Sequence, residues 1–161
     1  MAKGVRIVGC DYDSHAVHFG VLEKEVLYAF RYHSYVGQPS LELLDGIETC
    51  LRSIPKPVSL VVIETPIYIQ NPRTSFALSR VYLLVELACQ KLNLTTVSLG
   101  SSRWKKLGLG YARLNKGRVF ERMKERFGDI ISDSHYADCA GMCLAGQRLV
   151  EGSDGSDTVQ P

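Results

Sequence analysis

VSLVVIE, at residues 58–64, is the stretch on which the reading of the fold turns. It is a continuous apolar run bounded by Pro55 and Pro57 on one side and a polar loop on the other, the pattern of a central strand buried on both faces. Glu64 follows that run directly. The earlier stretch VRIVGCD, at residues 5–11, repeats the design: a short buried strand over 5–9 ends at Cys10-Asp11. Between the two, β-rich stretches near 15–22 and 25–32 flank Glu23-Lys24 and read as a hairpin. Pro39 stands near the start of an amphipathic helix with Leu41, Leu44, Ile47 and Leu51 on one face.

Downstream of Gln70-Asn71-Pro72 the pattern gives a long helix over 73–91 and a short strand over 94–99. Gly108 and Gly110 break the basic segment that follows, and a basic helix runs over 116–127. The last helix, over 134–149, carries the small residues Ala137, Ala140, Gly141 and Ala145, which allow close packing on a sheet. Antiparallel strands followed by β-α-β crossovers predict an α/β fold: a mixed five-stranded sheet with helices on both faces.

The whole chain has 161 residues, 45% apolar and 22% charged, with a net charge of +2. That is one domain, expected over 1–150, with a Gly/Ser/Asp-rich acidic tail over 151–161 expected to be disordered. No apolar run is long enough for a membrane span, and no targeting segment is seen, so a cytoplasmic location in a bacterial or phage-infected cell is expected. Five cysteines, an odd number set in apolar or helical patterns, argue against a disulfide framework.

The small net charge conceals an asymmetry. Residues 1–102 sum to zero, residues 103–126 to +7, and residues 127–161 to −5. A solvated helix face is the ordinary meaning of a charge run, but seven excess positive charges beside the lone Trp104 and a Gly-rich turn favour a phosphate-rich partner. Gly108-Leu109-Gly110 is no phosphate-binding P-loop, since G-K-[S/T] is missing.

Asp11 and Glu64 end two buried strands, and if these are neighbours both carboxylates leave the sheet at one edge. His135 and Asp138, at i and i+3, share one face of the last helix near its start. Three carboxylates and an imidazole are hard ligands suited to Mg²⁺ or Mn²⁺. Asp13 reads as a turn residue and Asp133 as a helix cap. Cys139 and Cys143 read as packing residues, and His15, His18 and His33 carry no assigned chemistry.

These residues resemble a known family. I-V-G-C-D with Asp11, V-V-I-E with Glu64 and H-x-x-D-C-A with His135 and Asp138 are similar to the motifs of RuvC-type Holliday junction resolvases, in the RNase H-like nuclease superfamily. ETPIYIQNPRTSFAL repeats that family's spacing of an Asn seven residues after the Glu and a Ser/Thr ten after it, here Asn71 and Thr74. Arg103-x-x-Lys106 and Lys116-x-x-Val119 resemble its two basic stations, and Trp104-Lys105-Lys106 looks closest to phage and organelle members. The resemblance spans residues 5–146 and implies an RNase H-like fold with two-metal phosphodiester hydrolysis. Asp11, Glu64, His135 and Asp138 would hold two Mg²⁺ or Mn²⁺ ions, with Lys106 as a further catalytic group.

The DNA-binding set under this reading is Arg103, Trp104, Lys105, Lys106, Arg113, Lys116 and Arg118, with Ile67 or Tyr68 as a wedge at the junction centre. Trp104 is equally a lid over the core. The implied activity is resolution of four-way DNA junctions by paired symmetric nicks. The alternatives are a nuclease on other branched replication or packaging DNA, and a junction-binding protein that does not cut. Paired nicks imply a homodimer, with the helix over 73–91 as its interface through Phe76, Leu78, Val81, Leu83, Leu84, Val85 and Leu87.

Overall fold

A computed structural model describes residues 4–33, 41–67 and 70–152. Strand β1 (Arg6–Tyr12) pairs antiparallel with β2 (Ala16–Glu23), which pairs antiparallel with β3 (Val26–His33). The β2–β3 turn needs one left-handed residue, supplied by Lys24 at φ 57°. After α1 (Leu41–Ser53), the chain returns through β4 (Leu60–Glu64), parallel to β1, and α2 (Pro72–Lys91) leads to β5 (Thr96–Leu99), parallel to β4. The sheet order is β3-β2-β1-β4-β5. The expected mixed five-stranded sheet is therefore present, with β1 at its centre.

Among the described residues, three α-helices follow: α3 (Ser101–Leu109), α4 (Lys116–Phe127) and α5 (Ser134–Gly152). The expected 151–161 tail begins within α5, and residues 153–161 lie outside the described residues. Gly108 does not break the basic segment as the sequence suggests. It sits inside α3, where a Cβ would stand 2.4 Å from the Gly141 carbonyl oxygen, so the missing side chain lets α3 lie on α5. The helix ends instead at Gly110, whose left-handed φ of 83° favours glycine.

Strand alternation divides the core in two. Val8 and Cys10 of β1 point to the side covered by α1 and α2, where Ile47, Leu51, Val81 and Val85 pack. Ile7 of β1 and Leu60 and Val62 of β4 point to the other side, against Trp104, Val119, Met123, Ala140 and Leu144. Seven of seven β1 residues are buried, which is why this strand shows no polar alternation. Glu48 of α1 is buried and paired with Lys91 of α2, tying the first helical layer together.

The second layer sits unusually low on the sheet. A Cβ on Gly9 would stand 2.2 Å from the Cys139 carbonyl oxygen of α5, and one on Gly146 would stand 2.6 Å from Ile7 Cγ2. The thiol of Cys143 donates to the Gly20 carbonyl at 3.2 Å, and that of Cys139 to the His18 carbonyl at 3.2 Å. These cysteines are therefore packing and hydrogen-bonding groups between helix and sheet. Gly9→Ala is expected to cost about 1–3 kcal/mol or more of stability through overpacking against backbone that cannot yield, read as a lowered urea midpoint with unchanged slope.

Candidate active site

Asp11 and Glu64 reach the same place by parity and register. Ile7, Gly9 and Asp11 share one face of β1; Leu60, Val62 and Glu64 share the same face of β4. Cys10 lies opposite Ile63 in the parallel ladder, so the two acids sit one step beyond it, side by side at the carboxyl ends of their strands. Thr65 N–H donates to the Leu99 carbonyl at 3.0 Å and Tyr12 Oη donates to the Glu64 carbonyl at 2.9 Å, fixing the end of β4. From above, α5 lowers Asp138 onto the pair. Carboxylate oxygens of Asp11, Glu64 and Asp138 all lie within 4.8 Å of one another.

His135, one turn earlier on α5, places Nδ1 2.7 Å from Asp11 Oδ2 and Nε2 3.7 Å from Asp13 Oδ2. Its start is capped by Asp133, which accepts from the His135 and Tyr136 amides at 2.9 and 3.1 Å. Asp13 keeps its turn role, accepting from the His15 and Ala16 amides at 2.6 and 2.7 Å, while its other oxygen faces His135. His18, given no chemistry by the sequence reading, is buried against the His135 ring. Its place was encoded in the hairpin register, which sets it directly opposite Asp11.

The carboxylates conflict with one another. Burial, and then the charges of Asp11 and Asp138, push Glu64 up to about 7, against the opposing pull of the Trp104 indole and Lys105. Burial and the Asp11 charge push Asp138 up to about 6, opposed by Lys116, Lys105 and His135. The hydrogen bond to Asp11 raises His135 above the ordinary histidine value. Three carboxyl oxygens and an imidazole at one cleft fit a hard divalent cation, which would relieve this repulsion. Asp13, His18 and His135 form a second cluster of possible ligands.

The cleft, about 400 Å³, is also lined by Ser14, Ile67, Thr74, Ser101, Lys105 and Lys116. The basic residue of α3 that lines the cleft is thus Lys105; Lys106, the further catalytic group expected from the sequence, is not among the lining residues. Ser101 and Lys105 are one turn apart and face the cleft, whereas Lys106 is rotated about 100° further round the helix. It lines a separate depression with Tyr111 and Arg113. Lys105 is held in place by donating to the Leu114 carbonyl at 2.9 Å.

Of the two roles expected for Trp104, its position fits the lid over the core: it is wholly buried against Gly141, where a Cβ would meet its ring at 2.5 Å. Its indole N–H acts on Glu64 without closing a hydrogen bond. Arg103, Arg113 and Arg118 are exposed away from the acids, the last paired with Glu121 at 3.3 Å. Ile67 is 60% exposed at the cleft rim, and Tyr68 lies outside the described residues. Thr74 lines the cleft, while Asn71 caps α2 by accepting from the Arg73 amide at 3.0 Å.

No protein-family model matches the chain, and no curated protein matches it in sequence. Solved structures do. RuvC of T. thermophilus in complex with a Holliday junction substrate superposes with a TM-score of 0.76 at 14% identity, covering 92% of this chain and 96% of that one. Thermus thermophilus RuvC in a second structure gives 0.71 at 15% identity, covering 92% and 97%. The fold is that of RuvC. No described helix is long and apolar enough to cross a membrane.

The repulsion among the acids has a measurable sign. Glu64 and Asp138 have folded values of about 7 and about 6 against ordinary values of 4.5 and 3.8, so the native state holds extra protons in those windows. Stability therefore falls as pH rises through them. Glu64→Gln and Asp138→Asn are each expected to stabilise the metal-free protein by about 1–3 kcal/mol near pH ~8, with the gain vanishing near pH ~4. Urea unfolding at the two pH values measures this, and an equal gain at both would show that the charges are not in conflict.

Proposed function

We infer that this chain is a metal-dependent, structure-selective endodeoxyribonuclease that resolves four-way DNA junctions by paired symmetric nicks. The observation that carries the reading is the convergence of Asp11, Glu64 and Asp138 from three elements to within 4.8 Å, with His135 bonded to Asp11. The RuvC-like fold supports it, since one RuvC structure contains a Holliday junction substrate. Asp11, Glu64, His135 and Asp138 are the residues that would hold two Mg²⁺ or Mn²⁺ ions. Held there, such ions would activate a water and neutralise charge on the leaving 3′-oxygen.

The chain's own groups do the rest. Lys105 and Lys116 stand beside the acids and offer positive charge to the phosphates flanking the cut, with Arg103, Lys106, Arg113 and Arg118 as a wider cradle. Ile67 at the exposed rim, or Tyr68 next to it, is the wedge for the junction centre. His135 must shed its proton to ligate a metal, and its raised pKa extends the protonated range upward, so metal loading and cleavage strengthen as pH rises through neutrality.

The test is nicking of a labelled four-way junction with Mg²⁺ and with EDTA. Asp11→Asn, Glu64→Gln and Asp138→Asn are each expected to abolish cleavage and keep junction binding, while His135→Asp keeps part of the activity because a carboxylate can replace the imidazole on a hard ion. A junction bound but uncut by the wild type with Mg²⁺ would make the chain a binding protein. Cutting of flaps or forks in preference to junctions would widen the substrate class.

Two symmetric nicks need two sites related by a two-fold axis, so the protein is proposed to act as a homodimer. On α2, Val81 and Val85 are buried in the core and Leu78 and Leu84 pack against it, leaving Phe76, Leu83 and Leu87 exposed at 69%, 60% and 42%. This outward apolar stripe, at i, i+7 and i+11, is the interface proposed for a second copy. Leu83→Glu is expected to give monomers by light scattering that nick one strand per encounter. A wild type that is monomeric and still cuts both strands in one bound lifetime would defeat the dimer.

A further inference from the structure

His18 has no part in the chemistry above, yet at 1% exposure it is more enclosed than Asp11 at 8%. It lies opposite Asp11 in the β1–β2 ladder, so both side chains emerge on the face covered by α5. Its ring lies flat against His135, with centroids 4.3 Å apart and planes 1° from parallel. Tyr136 meets the same ring edge-on at 5.4 Å and 85°. Its Nδ1 is buried with no hydrogen-bond partner among the described residues.

One use for such a group is an ion shared with Asp13 and His135, whose ligand atoms lie within 4.8 Å. The stacking excludes it. An imidazole nitrogen bonds a metal in its own ring plane, and two parallel stacked rings have no common plane in which one ion could lie. What remains is the flat face. The His135 ring spans two carboxylates, with Nδ1 at 2.7 Å from Asp11 and Nε2 at 3.7 Å from Asp13, and turning it about its Cβ–Cγ bond would break both approaches. Face-to-face contact with a buried ring opposes that rotation.

We propose that His18 is a positioning residue, a flat floor that fixes the plane of the His135 ring so that its two nitrogens face Asp11 and Asp13. An aliphatic side chain would fill the same space without an unpaired buried nitrogen, but it has no flat face to set the ring. The consequence for cleavage rests on the reading of His135 as a metal ligand; the positioning itself does not.

His18→Leu and His18→Phe separate the flat face from mere burial, since both are apolar and only Phe keeps a planar ring. In the metal-free full chain, NMR of the wild type is expected to show His135 ring protons displaced by the current of the ring beneath, with one hydrogen-bonded Nδ1 signal. His18→Phe retains both features, and His18→Leu loses them. On a saturating four-way junction with Mg²⁺, His18→Leu is expected to cut about 10–100-fold more slowly with unchanged junction affinity, and His18→Phe to restore most of the rate. An undisturbed His135 signal in His18→Leu overturns the proposal. If neither variant folds, the wild-type spectrum decides alone, because a missing ring-current displacement overturns it equally. The spectrum needs no nuclease activity, so a chain with an ordered His135 that cuts no junction defeats the nuclease reading and leaves the positioning role standing.

Discussion

The close seating of α5 on the centre of the sheet is the constraint from which the site follows. With Gly9 beneath the Cys139 carbonyl and Gly146 against Ile7 and Val62, only hydrogen takes the place of a side chain at two points of the contact between helix and strands. At Gly9 the approach of α5 to β1 is thereby limited by backbone atoms, which do not rearrange as side chains do. Asp138, one residue before Cys139, comes down onto Asp11 and Glu64 as a direct result. The same economy of side chains recurs one layer out, where Gly141 accommodates Trp104 and Gly108 lets α3 approach α5. That second contact places Lys105 at the cleft.

This packing is achieved against an electrostatic cost. Burial, and then the charge of the neighbouring carboxylates, raises Glu64 and Asp138, and the nearby cation Lys105, joined at Asp138 by Lys116, offsets that rise only in part. A core of apolar side chains on both sides of β1 sustains the arrangement, because burial of the strand is complete whether or not the acids at its end are ionised. The uncompensated charge is concentrated at one cleft, where the three carboxylates stand beside Lys105 and Lys116. The histidines sit on the β2 side of the cluster and the lysines on the α3 side, so the acids are flanked by two chemically different walls.

Much of this was legible in the sequence. The apolar runs ending in Asp11 and Glu64, the small-residue helix carrying His135 and Asp138, and the alternation of strands and helices were each local patterns with local causes: burial on two faces, close packing, and turn residues between them. These determined the five-stranded mixed sheet and the four candidate ligands. What one chain of letters could not carry was rotation and pairing. Lys105 and Lys106 are neighbours in a basic run with equal claims, and only the burial of Trp104 beneath Gly141 fixes the turn of α3 that gives Lys105 the cleft. Trp104 has the composition of a DNA-facing ring and the environment of a core residue. His18 is an unremarked hairpin histidine until the β1–β2 register sets it opposite Asp11 and α5 brings His135 onto its face. Periodicity records which residues are buried because burial repeats along an element; which side chains meet across elements depends on helix rotation and strand register, and those are set by contacts between elements, some of them between residues more than a hundred positions apart.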